Sequence, residues 1–345
     1  MVNFRSAVVF LYSGVFVAGL SSCSEDLANS GHTSISARPL VIAHRGASSY
    51  LPEHTLEAYS LAVEQGSDFI EPDIIITKDG VLIARHENEL SGTTDVAQKF
   101  PTRKTVKIIN GHEVEGWFSE DFTLTEIKTL RANERLPFRD QSNNGKFKIP
   151  TFAEILELRA RLSDQATRAI GVYPETKHPS YFAALGLPLE EPLVGALYDA
   201  GLNRADAPVF IQSFEVDNLV KLNKMTEVPL IQLIGADENQ GKSIEFEDVA
   251  RYADGIGPAK SMILPVSWEG RADQQSDVVI RAHAAGVLVH PYTFRPEPEF
   301  LPERYDGDPA AELCAFAALG IDGLFTDAPD IALEAFSESC PMTGR

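Results

Sequence analysis

The chain has 345 residues, 44% of them hydrophobic, enough for a large core and too apolar for a disordered polymer. Its formal charge of −20, from 30 basic and 50 acidic residues, excludes a nucleic-acid surface, which needs a basic face, and disfavours adsorption to anionic lipid. A small anionic substrate is compatible with such a chain only beside a local cation that offsets the field.

Arg5 and the apolar run over residues 7–20 have the form of a secretory signal, too short for an ordinary membrane span. The run ends in Leu20-Ser21-Ser22-Cys23, which resembles the lipobox of bacterial lipoproteins. That resemblance implies a signal peptide over 1–22, lipid on the Cys23 thiol, and an exported protein held at the periplasm or cell envelope. Ordinary signal cleavage with a free Cys23 is the alternative. Residues 23–39, polar and serine-containing, read as a flexible tether. In an exported chain Cys314 and Cys340 can pair. Cys314, among Leu313, Phe316 and Leu319, reads equally well as a buried thiol.

From residue 40 onward short apolar runs alternate with helical periodicity, the pattern of parallel strands joined by crossover helices. Strands are expected at 40–43, 69–76, 169–175, 209–214, 230–234, 255–258, 287–293 and 323–327. Helices are expected at 55–65, 152–162, 191–200, 216–224, 246–252, 277–285 and 309–319, the last with Asp308 as N-cap, Pro309 at its first position and Gly320 just past its end. Eight strands with helices between them is the arithmetic of an α/β fold of the (β/α)₈ TIM-barrel type, here spanning 40–335. An open doubly wound sheet is the runner-up, without a glycine-rich dinucleotide fingerprint to support it. Residues 87–150 fit no β/α unit and read as an insertion after the second strand, above the barrel mouth, where it forms a lid or substrate wall.

The second strand carries the densest chemistry. Glu71 and Asp73, two residues apart, share a face of an extended strand. Asp79-Gly80 predicts a two-residue hairpin turn, which pairs Lys78 with Val81 and sets Asp73 opposite His86. Active residues of such barrels sit at the carboxyl ends of strands, and those ends here are polar: His44-Arg45, Glu71 and Asp73, Glu175 and Lys177, Gln212 with Ser213, His290 with Tyr292 and Arg295, and Asp327. Glu71, Asp73 and Glu175 offer only oxygen, which suits Ca²⁺ or Mg²⁺ better than zinc. His44 and His86 are then two imidazoles beside one cation, fitted for proton transfer near neutral pH. Arg45 and Lys177 could clamp an anionic group such as a phosphate, or could pair with neighbouring carboxylates instead. His54 and His178 border the region, and neither is given a role.

Taken in order, His44-Arg45-Gly46, Pro52-Glu53-His54-Thr55, Glu71-x-Asp73, Thr77-Lys78-Asp79-Gly80, His86, Tyr173-Pro174-Glu175-x-Lys177, Gln212-Ser213-Phe214, Val289-His290-Pro291-Tyr292 and Phe325-Thr326-Asp327 resemble the glycerophosphodiester phosphodiesterase family. The resemblance spans about residues 40–330. It implies a TIM barrel with an insertion after the second strand, and one divalent cation on Glu71, Asp73 and Glu175. It also implies that His44 and His86 are the general acid/base pair and that Arg45, Lys177, Gln212 and Tyr292 bind substrate. The implied reaction is metal-dependent hydrolysis of glycerophosphodiesters to sn-glycerol 3-phosphate and an alcohol. The implied partner is that small molecule, with no nucleic acid and with membrane contact only through the N-terminal lipid. Where the family usually carries His-Asp, this chain has His86-Glu87. A phospholipase- or sphingomyelinase-like phosphodiesterase and a non-catalytic binding lipoprotein are the competing readings.

Overall fold

Eight parallel strands close on themselves in the computed structural model, which describes residues 38–236, 245–265 and 276–340. They are β1 (Leu40–His44), β2 (Phe69–Glu71 continued by Asp73–Ile76), β3 (Gly171–Val172 continued by Glu175–Thr176), β4 (Ile211–Ser213), β5 (Leu230–Ile234), β6 (Gly255–Pro258), β7 (Leu288–Val289) and β8 (Gly323–Thr326). Each pairs with the next: Ile42 with Phe69, Asp73 with Glu175, Glu175 with Gln212, Ile231 with Gly255, and Gly255 with Leu288. Phe294 bridges Thr326, and β8 pairs with β1 through Leu40 and Gly323, which completes the TIM barrel expected from the strand count.

The strands are short because proline interrupts them. Pro72 and Pro174 have no N–H for the ladder, so β2 and β3 each break into two pieces at neighbouring positions. Pro291 likewise leaves β7 shorter than the apolar run over 287–293. Crossover helices lie where the apolar periodicity places them. Thr55 caps Leu56–Glu64, Thr151 and Glu154 form a capping box on Phe152–Ala166, and Asp308 caps Pro309–Ala318.

Alternation along each strand separates two cores. Val41, Ala43, Ile70, Val172 and Leu324 face outward into the main core with the helices, whereas Ile42, Phe69, Tyr173, Ile231 and Phe325 fill the barrel, with Phe210 and Tyr292 packed against them. Phe69 lies across Gly171, where a Cβ would meet its ring at 2.1 Å, so a glycine is needed there to let the aromatic fill the bore. The residue two places beyond each interior hydrophobe points the same way, one layer higher. Ile42 is thus followed by His44, Phe69 by Glu71 and then Asp73, Tyr173 by Glu175, Phe210 by Gln212, and Phe325 by Asp327. The apolar layer is the floor of the site.

The hairpin after β2 departs from the two-residue turn. Its loop is Lys78-Asp79-Gly80, closed by the Thr77 N–H donating to the Val81 carbonyl at 3.0 Å, with Gly80 at φ +79°. This is the three-residue loop ending in a left-handed residue. The pairing is therefore Ile74 with Ala84 and Ile76 with Leu82, shifted by one residue, and the slip turns every side chain of the second arm to the other face. Arg85, not His86, stands opposite Asp73, with its N–H on the Asp73 carbonyl at 3.0 Å.

The insertion is ordered. It holds a hairpin, Thr105–Ile109 with His112–Gly116, turning at Asn110-Gly111, where both residues have positive φ. Phe122, Ile127, Leu130 and Ala132 join it to the main core. Cys314 and Cys340 form a disulfide with Cα atoms 5.0 Å apart, fastening the helix Pro309–Ala318 to the C-terminal end of the described chain. No helix among the described residues is long and apolar enough to cross a membrane. The signal segment, Cys23 and most of the proposed tether lie outside the described residues. Closing a loop of 26 residues stabilises the fold by about 3 kcal/mol in the chain-entropy account, so Cys314→Ser with Cys340→Ser should lower the thermal midpoint by several degrees and leave turnover unchanged, as read by calorimetry and assay of the same preparation.

Candidate active site

Carboxylate oxygens of Glu71, Asp73 and Glu175 lie within 4.8 Å of one another, all three residues buried at the carboxyl ends of β2 and β3. Burial, with Asp73 and Glu175 alongside, pushes the Glu71 carboxyl well above its usual range. Burial also raises Glu175, to about 8, against the pull of Lys177. Asp73 is also penalised by burial, but Arg45, Lys177 and a hydrogen bond from His54 hold it well below. The donors are all hard oxygens. Gln212 donates to Glu71 Oε1 at 3.1 Å, and its own buried Oε1 has no partner among the described residues, which leaves one more oxygen acceptor beside the cluster. Three buried acids that share one point and cannot all ionise unaided fit a divalent cation of the Ca²⁺ or Mg²⁺ kind.

Arg45 owes its place to a reversed backbone. It has φ +62° and Gly46 has φ +90°, where a Cβ would sit 2.7 Å from the Ala58 carbonyl carbon. The Arg45 N–H donates to the Glu71 side chain at 2.8 Å. Its guanidinium reaches Asp73 at 3.2 Å, Glu53 at 3.1 Å and His44 Nε2 at 3.2 Å. Lys177 stands on the other side, 2.9 Å from Glu175 Oε1 and 3.3 Å from His86 Nε2. Both imidazoles share one arrangement, a carboxylate on Nδ1 and a cation at Nε2. His44 Nδ1 donates to Asp327 Oδ1 at 2.6 Å, and His86 Nδ1 donates to Glu87 Oε1 at 2.9 Å. Burial and the nearby Arg45 push His44 down to about 3, and burial, Arg45 and Lys177 lower His86, so both rings are neutral at pH 7 with Nε2 as acceptor. His44, Arg45, Glu71, His86, Glu175 and Lys177 line a cavity of about 340 Å³, with Gln212 and Tyr292 on its wall.

The strand-end residues His44, Arg45, Glu71, Asp73, Glu175, Lys177, Gln212, Tyr292, Arg295 and Asp327 come together here, although Arg45 and Lys177 also make the carboxylate pairs that were the alternative to an anion clamp. Two do not: His290 packs in the bore with its Nδ1 on the Tyr173 hydroxyl at 2.9 Å, and the Ser213 hydroxyl accepts from the Glu215 N–H at 3.2 Å. Three features were not assigned. His54 is buried, donates to Asp73 Oδ2 at 2.9 Å and contacts the Tyr59 hydroxyl at 2.8 Å. Asp327 holds His44 and also accepts from Arg139 at 2.7 Å and Arg295 at 2.8 Å. Arg135 and Arg139 come from the insertion, the former reaching Glu53 at 2.8 Å. Pro52-Glu53-His54-Thr55 was the available signal for His54; a strap 90 residues from β1 leaves no local one.

A sequence model of the glycerophosphoryl diester phosphodiesterase family matches residues 44–331. The chain belongs to that family. It is 40% identical to glycerophosphodiester phosphodiesterase GDPD6 of Arabidopsis thaliana, over 84% of each chain. It is 32% identical to the glycerophosphodiester phosphodiesterase of Haemophilus influenzae, over 95% of this chain and 97% of that one. Its barrel is similar to that of an Oleispira antarctica phosphodiesterase solved with the product sn-glycerol-3-phosphate (TM-score 0.62, 22% identity, 87% and 98% of the two chains). The protein is accordingly an enzyme, a phosphodiesterase.

Asp327→Asn keeps the shape of the side chain but offers a single carbonyl oxygen to His44, Arg139 and Arg295. Loss of the fixed His44 tautomer should lower kcat by about 10²–10⁴ with KM little changed, and circular dichroism of the variant should retain the native spectrum.

Proposed function

We propose that this phosphodiesterase hydrolyses glycerophosphodiesters to sn-glycerol 3-phosphate and an alcohol, with a Ca²⁺ or Mg²⁺ ion on Glu71, Asp73 and Glu175. His44 and His86 are its proton-transfer pair. The observation that carries this reading is the paired geometry: each imidazole Nε2 meets a cation, Arg45 or Lys177, that in turn touches the carboxylate cluster. A substrate phosphate bound over the cluster comes within reach of both rings. The product seen in the Oleispira antarctica enzyme supports the same substrate class.

When bound, the cation neutralises charge on the phosphate oxygens. Arg45 and Lys177 hold the remaining oxygens and stabilise charge that builds on them. His44, neutral and with its proton fixed on Nδ1 by Asp327, takes at Nε2 the proton of the attacking oxygen, which is either water directly or the neighbouring glycerol hydroxyl, whose cyclic phosphate water then opens. His86, a third exposed, gains a proton from solvent at Nε2, with Glu87 on Nδ1 stabilising the charged ring, and gives it to the departing alkoxide, which returns the ring to its neutral form. Gln212 orients Glu71, and Tyr292 with Phe214 forms an aromatic wall for the rest of the substrate. We also read the chain as exported and held at the periplasm or cell envelope by lipid on Cys23. The Cys314–Cys340 bond, which forms in oxidising compartments, supports that reading.

Release of sn-glycerol 3-phosphate from glycerophosphocholine should cease with a chelator and return with Ca²⁺ or Mg²⁺. His44→Ala and His86→Ala should each lower kcat by about 10²–10⁴. Turnover that ignores both chelation and His44→Ala would defeat the mechanism.

A further inference from the structure

Behind His86 the carboxylate of Glu87 is shared. One oxygen takes the His86 Nδ1 proton at 2.9 Å, and the other accepts from His178 Nε2 at 3.0 Å. The second nitrogen of His178, Nδ1, accepts from the Asn110 side-chain amide at 3.2 Å. Every polar atom in this line is therefore used once, in a consistent sense, with the proton of His178 on Nε2. The line joins three distant pieces of chain: the hairpin arm that ends at His86, the start of the helix Pro179–Ala184, and the tip of the insertion's own hairpin.

Two further observations set this line apart from a surface ion pair. Half of Glu87 is open to solvent, but the His178 side chain is only 12% exposed, so the partner of the carboxylate is held in the structure. His178 also takes φ +47° immediately before Pro179, and Asn110 takes φ +51° at its turn. For Asn110 this is the ordinary conformation of its hairpin turn, but for His178 it is a backbone cost of the kind that persists where the surroundings enforce it. Burial would raise the Glu87 carboxyl, but the hydrogen bonds from His178 and His86 hold it below the usual range, so it stays a carboxylate and an acceptor to both rings.

We propose that Glu87 and His178 are positioning residues for His86: His178, anchored by Asn110, fixes the Glu87 carboxylate, which fixes the tautomer and orientation of the His86 ring. The inference rests on the reading of His86 as a proton-transfer residue. The insertion thereby reaches the chemistry on the His86 side through Asn110.

The test is a double-mutant cycle on the intact, metal-loaded enzyme. In the wild-type background Glu87→Gln and His178→Phe should each lower kcat on the order of tenfold or more with KM within about twofold. In the His86→Ala background neither should lower it further, because the ring they position is gone. Rates in both backgrounds are read with the same substrate, glycerophosphocholine, at enzyme concentrations that make the residual turnover of His86→Ala measurable. Nitrogen-15 NMR of the histidines gives a second readout: His86 should carry its proton on Nδ1 in the parent enzyme and lose that preference in both variants. Additive losses in the His86→Ala background, unchanged turnover in the parent background, or an unaltered His86 tautomer would each overturn the proposal. Full activity of His86→Ala alone would instead overturn the role of His86 itself, a separate outcome.

Discussion

The constraint on which the rest of the structure depends is the burial of Glu71, Asp73 and Glu175 within 4.8 Å of one another. At that separation and an effective dielectric of about 20, each pair of ionised carboxylates repels by roughly 3 kcal/mol, before any cost of desolvation. Nothing in packing alone would gather them. What gathers them is the barrel: the strand ends converge, and side chains two residues above an interior hydrophobe must point inward. The fold therefore imposes the repulsion, and neighbouring cations have to contain it. Arg45 and Lys177 do so from opposite sides, each with a second contact to an imidazole. The same two side chains keep the acid cluster tolerable and place two positive charges beside it.

A charge of −20 over the chain and a cation-rich site are consistent on this view. Positive side chains are concentrated where acids are most deeply buried, and a second tier repeats the logic. Glu53, behind Arg45, is held by Arg135, and Asp327, behind His44, is held by Arg139 and Arg295. Arg139 also takes Glu297 at 2.6 Å and the Ser48 carbonyl at 2.9 Å, so the strap from the insertion is fastened to loops of both β1 and β7. Removing one member of such a set strands a buried charge, which costs more than the pair contributes.

The barrel was legible because its information is local and periodic. Leu230–Ile234 and Gly255–Pro258 are found at the limits their apolar runs give, and Asp308 marks a helix start by cap chemistry. Where the reading missed, a specific backbone effect was responsible. Prolines 72, 174 and 291 cut the ladders without changing the path of the strands. In the hairpin, Asp79-Gly80 predicts a two-residue loop, whereas Thr77 closes on Val81 and Gly80 alone adopts the left-handed position. The cost of that error was one residue of register, which replaced His86 with Arg85 opposite Asp73. Asn110-Gly111 carries an equally strong turn signal, but its flanking strands, Thr105–Ile109 and His112–Gly116, lie outside any β/α unit.

The site survived the register error because its members are specified by strand ends and by distant partners, not by the hairpin pairing. His86 lies beyond the last paired residue of the arm, so its ring is placed by Glu87 and Lys177 and not by a cross-strand neighbour. A loop residue so placed needs side chains from elsewhere to hold it, and the structure supplies them from β3 and from the insertion. Sequence periodicity can announce which residues line a barrel mouth. It cannot announce which of two acids, 240 residues apart, will sit behind which imidazole, since that choice is made by tertiary contacts with no period. Asp327 behind His44 and Glu87 behind His86 are the same chemical solution reached from opposite ends of the chain.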